Sequence, residues 1–242
     1  MRRAYELWRE LQQLAREPLL YITGSIDAGP PGSPVFEGSR LSCELHSLPC
    51  EIPTSTQLTK RFPGYRLPSE TMAVLQPDGG FLLPERCIVS HLRLAQERGA
   101  EIDGCERVLD WEPMANGVKV TTDCATYQAE RLVVAAGSWI SGLVKDLTDL
   151  CVPERQVLIW LQPYRPEYFT PELFSVFNLT VEEGRYYGLP MFGVPGFKFG
   201  RYHHLGECVV PHQYDRECHP RDEELLRSFA NHYFPDSAGH VQ

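Results

Sequence analysis

Lys198 sits between Phe197 and Phe199, and the run Phe197 to Tyr202 lies opposite Tyr186-Tyr187-Gly188-Leu189-Pro190-Met191 across a loop bounded by Gly193 and Gly196. The two runs read as a β-hairpin. Side chains alternate along a strand, so the phenylalanines share one face and Lys198 shares the other with Gly200, while Tyr187 lies on the partner strand. A lysine among aromatic rings on a sheet can be desolvated, which favours its neutral form, or it can stand solvated at an edge; spacing alone leans to the second. His203 and His204 follow directly, with Cys208, His212, Cys218 and His219 close behind. Such a density of nitrogen and sulfur donors invites a zinc reading. The spacing, however, fits no standard structural site, which needs close ligand pairs on defined turns. On an extended strand the two histidines would point opposite ways, one to a site and the other to solvent. Two further signals carry little. Gly137-Ser138-Trp139 could be a nucleophile turn but lacks the Gly-x-Ser-x-Gly flanks, and Asn178-Leu179-Thr180 matches a glycosylation acceptor in a chain that shows no secretory signal.

These residues need elements to hold them. Tyr5, Trp8, Leu11 and Leu14 recur at helical spacing, with Arg2, Glu6, Arg9 and Glu10 on the other side. Leu19 to Ile26 reads as a buried strand ended by Gly24, followed by a turn-rich stretch from Asp27 to Pro34. Leu41 to Leu48 and Ser55 to Arg61 read as short helices, the second capped by Thr54 or Ser55. Gly79 to Leu83 is a turn and a short extended piece. Pro84 opens a helix to about Arg98, with Gly99 as its stop. Ala100 to Ile102 is expected as a strand. Arg107 to Trp111 and Val118 to Thr121 flank Asn116-Gly117, a strong hairpin signal, and Tyr127 begins another strand. Leu132-Val133-Val134-Ala135-Ala136 is continuously apolar, as in a central parallel strand buried on both faces, and a helix from Ile140 to Leu147 follows. Gln156 to Leu161 is a strand, and Asp222 to Tyr233 a helix stopped by Pro235. The middle of the chain thus alternates like an α/β nucleotide-binding unit, yet no Gly-x-Gly-x-x-Gly follows any strand.

Over 242 residues, 43% are hydrophobic and 23% charged, with a formal net charge of -9. These values suit a folded globular chain and exclude a disordered one or a coiled coil. The negative balance and scattered basic residues speak against a nucleic-acid binder. The apolar runs are strand-sized, so no membrane span is expected. Eight cysteines without a Cys-x-x-Cys pair, behind an N-terminus with acidic residues where a signal peptide needs its apolar core, point to the cytoplasm.

In order, Leu132-Val-Val-Ala-Ala-Gly-Ser-Trp139, Tyr186-Tyr-Gly-Leu-Pro190 and Gly196-Phe-Lys-Phe-Gly-Arg-Tyr-His-His204 resemble the monomeric sarcosine oxidase and N-methyltryptophan oxidase group of the D-amino acid oxidase superfamily. Tyr5-Glu-Leu-Trp8, Gly79-Gly80-Phe81, Glu97-Arg-Gly-Ala100, His219-Pro220-Arg-Asp-Glu223 and Phe234-Pro235 extend the resemblance over essentially the whole chain. It implies an α/β (α+β) fold: a partial FAD-binding Rossmann-like domain plus a mixed β-sheet substrate domain of the D-amino acid oxidase type. Residues 1–18 and 76–150 would belong to the FAD-binding domain, and 19–75 and 151–242 to the substrate domain. It also implies FAD as cofactor and an N-methyl or primary amino acid as substrate. The amine is oxidised to an imine, dioxygen is reduced to hydrogen peroxide, and the enzyme acts as a monomer. By the same resemblance Lys198 lies over the flavin and promotes oxygen reduction, Tyr187 and His203 line the substrate pocket with His204 as the alternate, Ala136, Gly137 and Trp139 pack near the flavin, and the Val108 backbone meets the adenine. The glycine-rich turn and the flavin-linking cysteine of that group have no counterpart here, so a fragment that holds FAD poorly is expected. A non-catalytic remnant or binding module, and a related deaminating dehydrogenase, remain the alternatives.

Overall fold

The computed structural model describes residues 2–242. The chain divides into two compact units, one of Met1–His91, Gln156–Leu205 and Glu217–Gln242, the other of Leu92–Arg155 and Gly206–Arg216.

In the first unit α1 (Arg2–Ala15) leads into β1 (Leu20–Ile22), which pairs antiparallel with β4 (Gly80–Leu82). The expected single strand from Leu19 to Ile26 is two strands. Gly24, at φ +75°, turns the chain, and β2 (Ser25–Gly29) enters a different sheet. A side chain at Gly24 would be strained there, which is why glycine serves. α2 runs Pro34–His46, starting earlier than its apolar pattern suggests because Pro34 suits a first helical turn. α3 (Ser55–Arg61) has the expected cap: the Gln57 backbone N–H donates to the Thr54 hydroxyl at 3.4 Å, and the Thr54 N–H donates to Gln57 Oε1 at 2.9 Å. β3 (Met72–Gln76) and β9 (Val176–Val181) carry no expectation from sequence. β9 is an interior strand and β3 an edge of a six-stranded mixed sheet ordered β3-β2-β9-β10-β11-β8, completed by β8 (Leu158–Leu161), β10 (Gly184–Leu189) and β11 (Phe197–Arg201). Only β2 and β9 are parallel neighbours; the remaining pairs are antiparallel.

One face of this sheet is the core. Ile26, Ala28, Ala73, Leu75, Ile159, Leu161, Phe177, Leu179, Tyr186, Phe197 and Phe199 meet Leu58 of α3, Phe62 just after it, and Leu226, Phe229 and Ala230 of α6 (Pro220–Tyr233). Aromatic packing dominates. Tyr186 stacks on Phe229 at 3.7 Å between centroids, and Phe174 contacts Tyr65, Phe177, Phe197 and Phe234. α6 starts at Pro220 as a proline start requires, and Asp222 accepts from the His219 N–H at 2.9 Å. On the opposite face, α2 covers β2 and β3 with Phe36 and Cys43 against Val74, and Ser39 donates to Asp27 at 2.7 Å. Burial raises the Cys43 thiol to about 11, with neighbouring Cys50 adding to the shift.

The second unit contains the antiparallel meander β5 (Val108–Met114), β6 (Gly117–Thr122) and β7 (Thr126–Ala129), turning at Asn116 as expected. α4 (Pro84–Gln96) ends as predicted, with Gly99 at φ +88°. Three expectations fail in this unit. Ala100 to Ile102 is irregular. Leu132 to Ala136 is not a central strand: it is irregular and largely exposed, Val133 at 87%. An apolar run becomes a buried parallel strand only where flanking strands satisfy its backbone, and among the described residues none pairs with it. The helix expected over Ile140 to Leu147 is broken into a 3₁₀ turn at Gly137–Trp139, α5 (Ile140–Leu143) and a second 3₁₀ turn at Lys145–Leu147, because Val144 adopts an extended conformation.

Candidate functional site

β8, β10 and β11 present a second face beyond the reach of α2. In register, Lys198 lies between Leu189 and Trp160, and Gly200 between Tyr187 and Leu158. All but Gly200 are half-buried. The alternation read from the sequence is therefore observed: Phe197 and Phe199 point into the core, Lys198 and Gly200 to the other face.

Lys198 is on an interior strand, not an edge. Its Nζ lies 4.4 Å from the centroid of the Trp160 ring. Among the described residues it makes no ion pair, so the ring face is its electrostatic partner. Gly200 explains how Tyr187 lies across β11. A Cβ at that position would sit 2.8 Å from Leu158 Cδ2 and 3.1 Å from the Tyr187 hydroxyl, so the bare backbone is what lets the phenol pass. Burial pushes the Tyr187 phenol above its ordinary value near 10, with Tyr202 adding to the shift, so the hydroxyl remains protonated at neutral pH.

Tyr187 opens onto a polar cluster. It stands directly across from Asn178 of β9 and packs against Tyr202 at 4.8 Å between centroids. Arg185 Nε donates to Asn178 Oδ1 at 2.8 Å, and the guanidinium carbon lies 4.3 Å over the Tyr202 ring. Trp160, Asn178, Arg185 and Tyr202 carry no expectation as site residues from sequence. The period-two alternation of Val176 to Val181 could have revealed the first side of this cluster.

The histidine pair departs from expectation. Both residues lie in the turn after β11, not on an extended strand, with φ of 59° at His203 and 25° at His204. His203 is exposed. His204, the alternate, is buried at 2%, its Nε2 2.8 Å from Asp222 Oδ1, while Arg201 Nη1 donates to the His204 carbonyl at 2.9 Å. That arrangement ties the end of β11 to the start of α6. Among the described residues no three His, Cys, Asp or Glu side chains are grouped to hold a metal ion.

The other candidates belong to the second unit. Val108 opens β5 beside a register irregularity and is exposed. Ala136 precedes the 3₁₀ turn, Gly137 is at φ +51°, and Trp139 Nε1 donates to His212 Nδ1 at 3.4 Å.

The pattern of the FAD dependent oxidoreductase family matches this sequence over residues 1–242. The chain belongs to that family. Monomeric sarcosine oxidase of Bacillus sp. (strain B-0618) is 33% identical over 245 residues, covering 99% of this chain and 63% of the relative. N-methyl-L-tryptophan oxidase of Yersinia pestis (strain Pestoides F) is 29% identical over 236 residues, covering 96% and 62%. Among solved structures, NikD, an unusual amino acid oxidase essential for nikkomycin biosynthesis, superposes with a TM-score of 0.72 at 24% identity, covering 98% of this chain and 62% of that one, and shares the fold. The chain thus spans less than two thirds of the length of the relatives it matches.

Membership raises the question of whether these residues suit FAD, and two parts of the cofactor give different answers. A cation held over an indole, beside a glycine and flanked by Leu158 and Leu189, suits a planar, electron-accepting ring. The pyrophosphate needs a glycine-rich strand-to-helix turn, and the described residues of this family member contain none. Gly193 and Gly196 sit in the β10–β11 loop with no helix behind them.

Proposed function

We propose that this chain supplies the substrate-side sheet of an FAD-dependent oxidase that converts the C–N bond of an N-methyl or primary amino acid to an imine while dioxygen is reduced to hydrogen peroxide. Lys198 mounted on Trp160 is the observation that carries the reading. In it, residues 1–18 and 76–150 belong with the cofactor and 19–75 and 151–242 with the substrate. Bound FAD would supply the two-electron oxidation of the amine and the transfer of electrons to dioxygen. Lys198, Gly200, Trp160 and Leu158 would face its ring. A fixed ammonium there stabilises negative charge as it develops on dioxygen, and the surrounding apolar side chains strengthen that effect by excluding water. The neutral Tyr187 hydroxyl can orient the amine or its carboxylate, and exposed His203 borders the same hairpin. Val108, Ala136, Gly137 and Trp139 are assigned to the cofactor side. The eight cysteines, none in a disulfide, suit the reducing cytoplasm, and the relative named monomeric supports action as a single chain.

In the flavin-loaded oxidase, Lys198→Met is expected to slow reoxidation by dioxygen by about 100-fold while anaerobic flavin reduction by the amine stays within about twofold. Stopped-flow absorbance follows both half-reactions, and unchanged reoxidation would remove Lys198 from this role. The 242-residue chain by itself is expected to hold well under one flavin per chain, since it has no pyrophosphate cradle. Stoichiometric flavin absorbance after purification would overturn that expectation.

A further inference from the structure

We infer that Cys43 and Cys50 form a peroxide-sensitive modification site, in which Cys50 takes up the oxidant and Cys43 closes the two into a disulfide. Two independent parts of the fold bring these residues together. The first is the end of α2. Ser47 is left-handed, at φ 49° and ψ 49°, and the Leu48 N–H donates to the Cys43 carbonyl at 2.9 Å. That closing turn folds the chain back over the end of the helix, and Leu48 packs against the cluster of Phe36, Cys43 and Val74. The second is the bridge at Glu51, the residue after Cys50. Its N–H donates to the Leu75 carbonyl and its carbonyl accepts from the Leu75 N–H, both at 2.9 Å. Val74, the preceding residue of β3, packs on Cys43. Cys50 is thus pinned one position from a bridge to β3 while Cys43 lies on that strand, and the two thiols are hydrogen-bond partners.

The sulfurs differ in access, and that divides their roles. Cys50 is exposed, whereas Cys43 is buried with 6% of its surface accessible. Hydrogen peroxide therefore meets Cys50 first. The Cys50 sulfur attacks one peroxide oxygen, the O–O bond breaks, and the other oxygen takes the thiol proton and departs as water. Cys50 is left as a sulfenic acid, its sulfur oxidised by the two electrons that reduce the peroxide. The Cys43 sulfur then attacks the Cys50 sulfur. The S–S bond forms, the S–O bond breaks, and the hydroxyl leaves as water with the Cys43 proton. In sum, two thiols and one hydrogen peroxide give one disulfide and two waters. An isolated sulfenic acid meets further peroxide and goes on to sulfinic acid, which thiols do not reverse; the adjacent Cys43 pre-empts that loss by an intramolecular step. Hydrogen peroxide is the product of the reaction proposed above, so the pair would register the enzyme's own turnover, although the site itself does not depend on that source.

Arg40 and Lys60 bound a tryptic peptide, Leu41–Lys60, that holds both cysteines and no other. The reduced full chain is treated with hydrogen peroxide, its remaining thiols are alkylated, and it is digested without reductant for mass spectrometry. In most copies this peptide should carry no alkyl group and weigh two hydrogens less, and dithiothreitol should restore both thiols. With dimedone present, Cys43→Ala should collect the adduct on Cys50, whereas Cys50→Ser should leave Cys43 an unmodified thiol. Cys50→Ser alters an exposed side chain, so it and the wild-type chain keep the test decisive should Cys43→Ala fail to fold. A peptide that stays doubly alkylated, Cys50 joined to a cysteine outside it, or a dimedone adduct on Cys43 would overturn the inference. In the flavin-loaded oxidase, an amine alone should close the pair, and catalase should prevent it. Closure by added peroxide, in an enzyme that releases none with any amine, sinks the oxidase reading and leaves the site standing. Measured peroxide release with the peptide still open does the reverse.

Discussion

β9 and the run Leu132 to Ala136 make an instructive pair. The second is apolar at every position and yet exposed, with Val133 at 87%; the first has a polar residue at alternate positions, and its Phe177 and Leu179 are 4% and 0% exposed. What separates them is company. β9 has hydrogen-bonded neighbours on both sides and a helix layer over its inner face, so alternation alone is enough to bury half its side chains. Leu132 to Ala136 has the stronger hydrophobic signal, but no described strand completes a ladder with it. Apolarity makes burial favourable; pairing decides whether it happens.

Substitution on the two sides should sharpen this contrast. Phe174→Ala removes a ring packed against Tyr65, Phe169, Phe177, Phe197 and Phe234 and should destabilise the first unit by about 3 to 5 kcal/mol, whereas Val133→Ser should stay within about 0.5 kcal/mol. Urea unfolding measures both, and a large loss for Val133→Ser would show that the run is buried in solution. Alkaline pH should also act through the first unit. Burial raises the Tyr65 phenol well above 10, and Tyr186 and Tyr233 are raised chiefly by burial too. A phenol whose folded value is raised contributes stability that is complete below its unfolded value and lost as pH climbs toward the folded one. Tyr65 alone should therefore cost about 1.4 kcal/mol per pH unit above about pH 10. Tyr127 of the meander is raised to about 12 by its hydrogen bond to Glu106 yet is exposed, so Tyr127→Phe should leave this pH profile unchanged. Thr54→Ala is the smallest effect on the first unit, about 1 kcal/mol from the lost cap of α3. Chemical denaturation at neutral pH resolves it.

The elements that sequence revealed are those whose causes are local. The Thr54 cap, the Asn116-Gly117 turn, the Gly99 stop and the β10–β11 hairpin each depend on residues a few positions apart. The hairpin was enough to assign Lys198 and Tyr187 their faces. It could not reveal Trp160 or Asn178 as their companions, since β8 and β9 reach the site only through sheet order. Likewise His204 finds Asp222 through the packing of α6, and the positive φ angles of the histidine pair have no glycine to announce them. β2 and β3 share that difficulty, each short and defined by what lies beside it.

The parallel pairing of β2 with β9 has a consequence for biosynthesis. Ser175 Oγ donates to the Thr23 carbonyl at 2.8 Å across 152 positions, beside the pairing of β9 with β2. At about 5 to 20 residues per second, a ribosome takes about 8 to 30 s to deliver the partner. Once β3 is made, for about the last 5 to 20 s of that interval, β2 and β3 form a ribbon with an open edge, able to recruit a foreign strand. Nascent chains arrested before residue 176 should be clients for holdase chaperones, and those released after residue 234, with α6 laid over the sheet, should not.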